Sequence, residues 1–469
     1  MGCTTSTLNA SKKASLSAVP ISPTDVFLMV NGTSGGNASK QLLDLGLTHF
    51  TFQHDHAECT VWVFNLRDGD NRKSGFSKIV EKASVPHQVK EGNVRVIACG
   101  GDGTVKWVIS ELVKLKRTDI PIGVIPFGTG NDFARAFNWG STAPNPLIGN
   151  KLQALKQKVI SFLNSEIVSM DCWRCSIYLK DIEDASFKEV KDAKVIQTHE
   201  GAKEMHHEML NYFSVGFDAQ IMFEFEQQRT KSQLGNKIVM ARKGVGQTIV
   251  RPPKLKESID IVMADGNECK ARLNDRLLLF SNIPSYSAGA NPWRRSKDDD
   301  NMLGNKDGFH PQFVGDSVLE CLTIHSSANI GLNITTGGSI KGGIQRTAQA
   351  KEYNVHFKDM SSIFLQVDGE AMQVDHADHI TIRHGYQIQV LRNDSAIAIS
   401  FPDGHVLATK SMGEEVFATE SRQASDIDMD EEENDDIEEV VIDEIKSIPE
   451  PEFSQRNLDI SEDVALVEQ

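Results

Sequence analysis

Two short segments carry the residue types that phosphate chemistry needs. Gly100-Gly101-Asp102-Gly103-Thr104 and Gly128-Thr129-Gly130-Asn131-Asp132 each combine glycines, a carboxylate and small hydrogen-bonding side chains. Glycine lets a backbone approach phosphate oxygens closely, and a helix that starts just after it offers free N–H groups and partial positive charge. One such loop would serve equally well as a plain turn. Two of them in adjoining units, each led by an apolar run and each holding an aspartate, point to one anion-binding place. They are not Walker loops, because no Gly-Lys-Ser or Gly-Lys-Thr occurs. They lack the GxGxxG spacing, and no His-Arg-Asp loop is paired with Asp-Phe-Gly, so the dinucleotide and protein-kinase signatures are absent.

The loops need elements to hold them. Val26–Val30 and 122–127 are apolar runs of strand length, and 60–66 and 94–98 read as further strands. After the first glycine loop, Val105, Val108, Ile109 and Leu112 recur at helical spacing; after the second, Phe133, Ala134 and Phe137 open another helix. Strand–loop–helix units repeated in this way build parallel sheets. Beyond about residue 165 strand-like runs dominate, among them 277–281, 318–324 and 379–382, and the connections are long. The expected fold is therefore an α/β nucleotide-binding domain with a parallel sheet, plus a mainly antiparallel β second domain, with a cleft between them. Its boundaries are a leader at 1–24, the α/β domain at 25–165, a β-rich domain at 166–410 and a tail at 411–469, with a solvent-exposed insertion at 296–312.

Composition narrows the function classes. The 469 residues carry a formal net charge of −16, but residues 411–469 alone hold 21 Asp and Glu against 3 Lys and Arg. The remainder is close to neutral, so the acidity belongs to a self-repelling tail. No basic stripe with interleaved aromatics is present, which argues against nucleic acid as partner. The seven cysteines are scattered, and Cys172-Trp-Arg-Cys175 is a lone pair without the second pair a zinc site needs, so a reducing, cytosolic compartment fits. No stretch approaches the length of a membrane span. The chain begins Met1-Gly2-Cys3-Thr4-Thr5-Ser6, which reads as a myristoylation signal at Gly2 with a palmitoylation site at Cys3 beside it. Two acyl chains anchor where one binds only marginally, so the expected location is the cytosolic face of a membrane, the plasma membrane first. Ser425, ahead of the acidic run, suits an acid-directed regulatory kinase.

The motifs together resemble the diacylglycerol kinase family. Gly100–Thr104 matches its GGDGT, and residues 128–135 are similar to GTGNDxAR. Met170-Asp171-Cys172-Trp173 resembles MDRW, residues 211–219 resemble NYFSxGxDA, 282–286 resemble NxPS, and 366–370 match QxDGE. The resemblance runs from about Val26 to about Arg392. Asn31-Gly32 stands where the family often has Asn-Pro, Asp316-Ser317 where it has Asp-Gly, and Cys172 where it has Arg.

The resemblance implies phosphoryl transfer from ATP to the hydroxyl of diacylglycerol, with Mg²⁺ as cofactor. Gly100, Gly101, Gly103, Thr104, Gly128, Thr129, Gly130, Asn131, Asn31 and Ser34 would bind ATP, with Thr104, Thr129 and Asn131 as side-chain donors. Asp102, Asp132 and Asp171 would serve the metal. Asp368 is the first candidate for the base, Glu370 stands beside it, and Asp102 is the rival. Arg135 would face the phosphates or solvent, and Trp293-Arg294-Arg295 would face lipid head groups or solvent. Two alternatives stay open: a sphingosine- or ceramide-type lipid kinase of the same superfamily, and a catalytically silent membrane-associated scaffold.

Overall fold

The structure is a computed structural model. It describes residues 24–393 apart from 36–37, 55–56, 85–93, 192, 228–252, 294–307, 337–341 and 359, together with two short strands at 399–400 and 406–407. Gly2, Cys3, Arg294, Arg295, Ser425, the leader to residue 23, most of the 296–312 insertion and the whole 411–469 tail lie outside the described residues.

The first sheet is built on four parallel strands, β1 (Thr24–Val30), β3 (Ala57–Asn65), β4 (Val94–Gly100) and β5 (Ile122–Pro126), with β2 (His49–His54) antiparallel at the edge. Every residue of β4 and β5 is buried, as is Val26–Val30 of β1. Near-continuous apolar runs of this kind, with the buried Arg95 an exception in β4, belong to strands covered on both faces. The covers are α2 (Gly69–Ala83), α3 (Asp102–Lys114) and α5 (Gln153–Leu163), with a single short turn, α1 (Lys40–Leu43), before β2. Helix α3 buries Val105, Val108, Ile109 and Leu112, the stripe its spacing anticipates. Helix α4 (Asp132–Ala136) is only five residues long and starts immediately after the second glycine loop.

The rest of the chain does not form a detached body. Strand β6 (Glu166–Leu179) pairs along its whole length with β19 (Ala377–Arg392), and β19 also meets β5 in parallel at Val390 and Ile122. Through β19 the first sheet continues into antiparallel strands β9 (Glu204–Met209), β11 (Ile259–Ala264), β12 (Asn267–Glu268) and β16 (Glu352–Phe357). Trp139 fastens the same junction by donating from Nε1 to the Leu391 carbonyl at 2.6 Å.

The second sheet is antiparallel and has eight strands: β7 (Ser186–Lys191), β8 (Lys194–Thr198), β10 (Tyr212–Gly216), β13 (Leu277–Ser281), β14 (Leu319–Ile324), β15 (Ile344–Ala350), β17 (Ile363–Val367) and β18 (Glu370–Asp375). It packs on the antiparallel part of the first sheet around Trp173, Phe213, Phe280, Tyr353 and Leu365. Helix α6 (Phe217–Gln227) and the helix Ser327–Thr336 cover its other face. The six cysteines in the described residues are free thiols, and Cys172 and Cys175 are buried in β6, so the lone CxxC is core. Trp293 is also core: it is 2% exposed, donates to the His310 carbonyl at 3.0 Å and stacks under Arg346. No helix among the described residues is long and apolar enough to cross a membrane.

Leu28 sits fully buried in the middle of the parallel sheet. Leu28→Ala should cost about 2–5 kcal/mol, the range for opening a cavity in a core, read as a lower urea midpoint with unchanged slope.

Candidate active site

Strands β4 and β5 are neighbours, so their C-terminal ends deliver the two glycine loops side by side. The loops touch through their backbones. A Cβ placed on Gly101 would lie 2.9 Å from Gly128 Cα, and one on Gly128 would lie 2.7 Å from Gly101 Cα. These glycines are required by contact with each other. Gly103 is different, because a Cβ there would meet nothing within 4 Å. Its open side is where a ligand can approach the start of α3. Thr129 is exposed at the tip of the second loop, and Gly100 lies under the Thr104 side chain.

Asn131 builds the second loop from inside. It adopts a left-handed conformation (φ 53°), accepts from Gly128 N–H at 2.9 Å, and donates to the carbonyls of Gly128 (2.8 Å) and Ser141 (2.7 Å). Both amide hydrogens are spent, so Asn131 shapes the cradle and is not a side-chain donor to phosphate. Asn31 ties a third loop to the site. It donates to Thr104 Oγ1 at 3.0 Å and receives Arg67 Nε at 3.0 Å. Ser34 sits in that loop, where its carbonyl accepts from Ser39. The loop packs on the second glycine loop through Gly35, whose φ of +61° and closeness to the Phe127 carbonyl leave no room for a side chain. Beside them opens a cavity of about 390 Å³, lined by Gly35, Phe127, Gly128, Thr142, Pro144 and Leu147 among others.

The carboxylates divide by environment. Asp102 Oδ1 accepts from Phe133 N–H at 2.8 Å and Oδ2 from Asp132 N–H at 3.2 Å, so the first loop's aspartate caps α4 behind the second loop. Burial, with Asp132 and Asp368 adding repulsion, pushes the Asp102 carboxyl up to about 6 against the pull of those two N–H groups. Its Oδ2 and Asp132 Oδ2 converge on Gly130, 3.6 and 3.4 Å from where a Cβ would stand. Asp132 accepts from Ser285 Oγ at 2.6 Å, from Ala288 N–H at 3.1 Å and from the Tyr212 hydroxyl at 3.4 Å. Burial raises its carboxyl too. Arg135 folds back to donate to the Gly130 carbonyl at 3.1 Å.

Asp368 occupies the turn between β17 and β18. Asp368 (φ 53°) and Gly369 (φ 84°) are both left-handed, as a two-residue hairpin turn with the right twist demands, and Asp-Gly is a preferred pair for it. The turn carries the carboxylate onto the backbone ahead of β10. There it accepts from Leu210 N–H (3.0 Å), Asn211 N–H (2.7 Å) and Tyr212 N–H (3.2 Å). Lys106, one helical turn after Asp102, bridges Asp368 at 3.4 Å and Glu370 at 3.3 Å. Burial pulls the Lys106 ammonium down, but the two acids outweigh it and leave it raised. The Asp368 side chain is 4% exposed and Glu370 66%. Asp368 thus has both oxygens engaged by backbone N–H groups and Lys106. His207, near Lys106, is pushed down to about 4 by burial and by that ammonium, so it stays neutral.

Asp171 is not brought into this group. Its fully buried carboxylate accepts from His384 Nε2 at 2.8 Å, Gln387 Nε2 at 2.9 Å and Ser317 N–H at 2.7 Å. It ties β6 to β19, and the expected set of three metal-binding aspartates does not assemble. Among the described residues no three His, Cys, Asp or Glu side chains gather to hold a metal. The pair that does converge is Asp102 and Asp132.

Several site residues had no role assigned from sequence: Lys106, Asn211, Tyr212, Ser285 and Asn282. Asn282 is fully buried, donates to the carbonyls of Asp171 (2.8 Å) and Leu210 (2.6 Å), and accepts from Trp173 Nε1 (2.9 Å). It fixes the 210–212 backbone that holds Asp368. Lys106 had a local signal, since it lies four residues after Asp102 on the same helix face.

Residues 25–165 match the family described as diacylglycerol kinase catalytic domain, and residues 208–371 match the diacylglycerol kinase accessory domain. The chain belongs to the diacylglycerol kinase family. It is 29% identical to the eye-specific diacylglycerol kinase of Drosophila melanogaster over 361 residues, covering 74% of this chain and 21% of that protein. Diacylglycerol kinase iota of Mus musculus is 28% identical (74% and 29% covered), and diacylglycerol kinase 2 of Arabidopsis thaliana 26% identical (86% and 50% covered). The chain therefore spans between about a fifth and a half of the length of these relatives. A crystal structure of a diacylglycerol kinase from Bacillus anthracis str. Sterne is 15% identical, with a TM-score of 0.40 and coverage of 79% of this chain and 97% of that one.

Gly101→Ala should destabilise the fold by driving the loops apart, whereas Gly103→Ala should keep the wild-type melting temperature; thermal denaturation of both variants decides this. Asp102 gives a pH signature. Its folded carboxyl, raised to about 6 from the ordinary 3.8, favours the protonated native state. The stability this contributes is complete below about pH 4 and is lost as pH rises through about 6. Wild type should therefore lose stability relative to Asp102→Asn across that window in urea titrations.

Proposed function

We propose that this chain is an ATP-dependent diacylglycerol kinase that produces phosphatidic acid. The observation that carries the reading is the paired glycine loops, joined at Gly101 and Gly128 and closed by Asp102, facing Tyr212, Ser285 and Asp368 from the second half of the chain. The cavity beside Phe127 and Gly128 has the size for a base and sugar. Backbone N–H groups at Gly101, Gly103 and Gly130 would hold the phosphates, with Thr104 and Thr129 as hydroxyl donors, whereas the Gly128 N–H expected to join them is engaged by Asn131 Oδ1 and shapes the loop instead. ATP would arrive as its Mg²⁺ complex; Asp102 and Asp132, whose Oδ2 atoms converge at Gly130, are the carboxylates that would hold the ion, and its charge would offset that of the phosphates.

In the reaction the lipid hydroxyl oxygen attacks the γ-phosphorus. A new O–P bond forms, the bond to the β–γ bridging oxygen breaks, and ADP leaves with that electron pair. The hydroxyl proton needs an acceptor poised near neutrality. Asp102 fits, with its carboxyl near 6 and Oδ2 turned toward Gly130. Asp368, held by three N–H groups and Lys106, orients the hairpin against the 210–212 backbone. Acyl chains at Gly2 and Cys3 would bring the enzyme to the cytosolic face of the plasma membrane, and phosphorylation at Ser425 would add charge to the acidic tail.

Transfer of labelled phosphate from ATP and Mg²⁺ to mixed micelles tests the substrate. Diacylglycerol should be labelled, and sphingosine and ceramide should not; label in either of those would move the substrate within the superfamily, and none in any lipid would leave a silent scaffold. With Asp102 as base, kcat/KM should fall as pH drops through about 6, and Asp102→Asn should lose about 10²–10⁴-fold in kcat. An Asp102→Asn variant with wild-type kcat would remove it from that role.

A further inference from the structure

The proposed site must bind a polyanion beside three clustered carboxylates, so it needs cations, and most nearby ones are taken. The Asn31–Gly35 loop contains no Lys or Arg, and neither glycine loop does. Lys106 is shared between Asp368 and Glu370, and Arg135 is folded onto the Gly130 carbonyl beside Asp132. Arg67, in the turn between β3 and α2, differs. It is exposed, and among the described residues no carboxylate lies within ion-pair distance of it and no hydrogen bond engages its two Nη groups.

Its guanidinium is nevertheless held in place. The Arg67 N–H donates to Asn65 Oδ1 at 3.0 Å, which fixes the backbone of the turn. Arg67 Nε donates to Asn31 Oδ1 at 3.0 Å, while the amide of the same Asn31 donates to Thr104 Oγ1 at 3.0 Å. The guanidinium carbon lies 5.8 Å from the Trp107 ring centroid, and Arg72 shares that ring at 5.2 Å. One asparagine thus links this cation to the threonine of the first glycine loop, and three contacts spend none of its terminal donors. A planar fork with both ends open and its position fixed in advance suits bidentate binding of phosphate oxygens.

We infer that Arg67 is a phosphate clamp, which engages the β- and γ-phosphates of the nucleotide from outside the glycine loops and favours the triphosphate over shorter nucleotides. The inference rests on the kinase reading and adds a residue to it.

Isothermal titration of the full chain with ATP, ADP and AMP in Mg²⁺ tests it. Arg67→Gln should weaken ATP binding by about tenfold or more, the worth of a charge-assisted contact, and leave AMP within about twofold. Arg67→Lys should fall between, because it keeps the charge and loses the fork. Unchanged ATP affinity in Arg67→Gln, or an equal loss for AMP and ATP, would overturn the clamp while leaving the kinase reading in place. Failure of the wild-type chain to bind ATP would overturn both.

Discussion

The contact between Gly101 and Gly128 governs the geometry of the site. Adjacent parallel strands lie about 4.8 Å apart, so two loops at their ends can merge into one cradle only if nothing projects between them. A methyl group on either residue would sit under 3 Å from the other's backbone. Asp102 then locks the merger by capping the short helix after the second loop with a side chain that starts from the first. The lock has an electrostatic cost, because it buries a carboxylate near two others, and that same cost lifts Asp102 toward neutrality. Packing and proton affinity are therefore two consequences of one arrangement.

The second half of the chain completes the site by supplying its far wall. Asn282 holds the 210–212 backbone, that backbone holds Asp368, and Lys106 returns the connection to the helix that follows the first glycine loop. Ser285, Ala288 and Tyr212 meet Asp132 in the same way. The continuation of the first sheet through β19 makes this possible, since both halves are anchored to one set of strands.

What was legible in the sequence was local. The glycine loops, the buried strands and the stripe of α3 follow from spacing within a dozen residues, and the resemblance added the distant motifs that face them. The roles of single side chains were less legible because their partners lie far along the chain. Asp171 looked like a metal ligand, but its partners are Ser317, His384 and Gln387, all more than 140 residues away. Asn131 has the sequence position of a donor to phosphate, but its two amide hydrogens go to the carbonyls of Gly128 and Ser141. Trp293 looked exposed beside two arginines and is core. Lys106 and Arg67 fall outside the glycine loops, and their place in the site comes from distant partners, Asp368 and Glu370 for the one and Asn31 for the other.

We propose that the two joined loops hold the phosphates of ATP. Hydrogen–deuterium exchange of the full chain with and without Mg²⁺–ATP tests it most directly. Exchange should slow at the amides of Gly101, Gly103 and Gly130 on binding, and change little at Gly128, whose N–H is already bonded to Asn131. ATP bound at saturation with exchange at the first three amides unchanged would place the phosphates elsewhere.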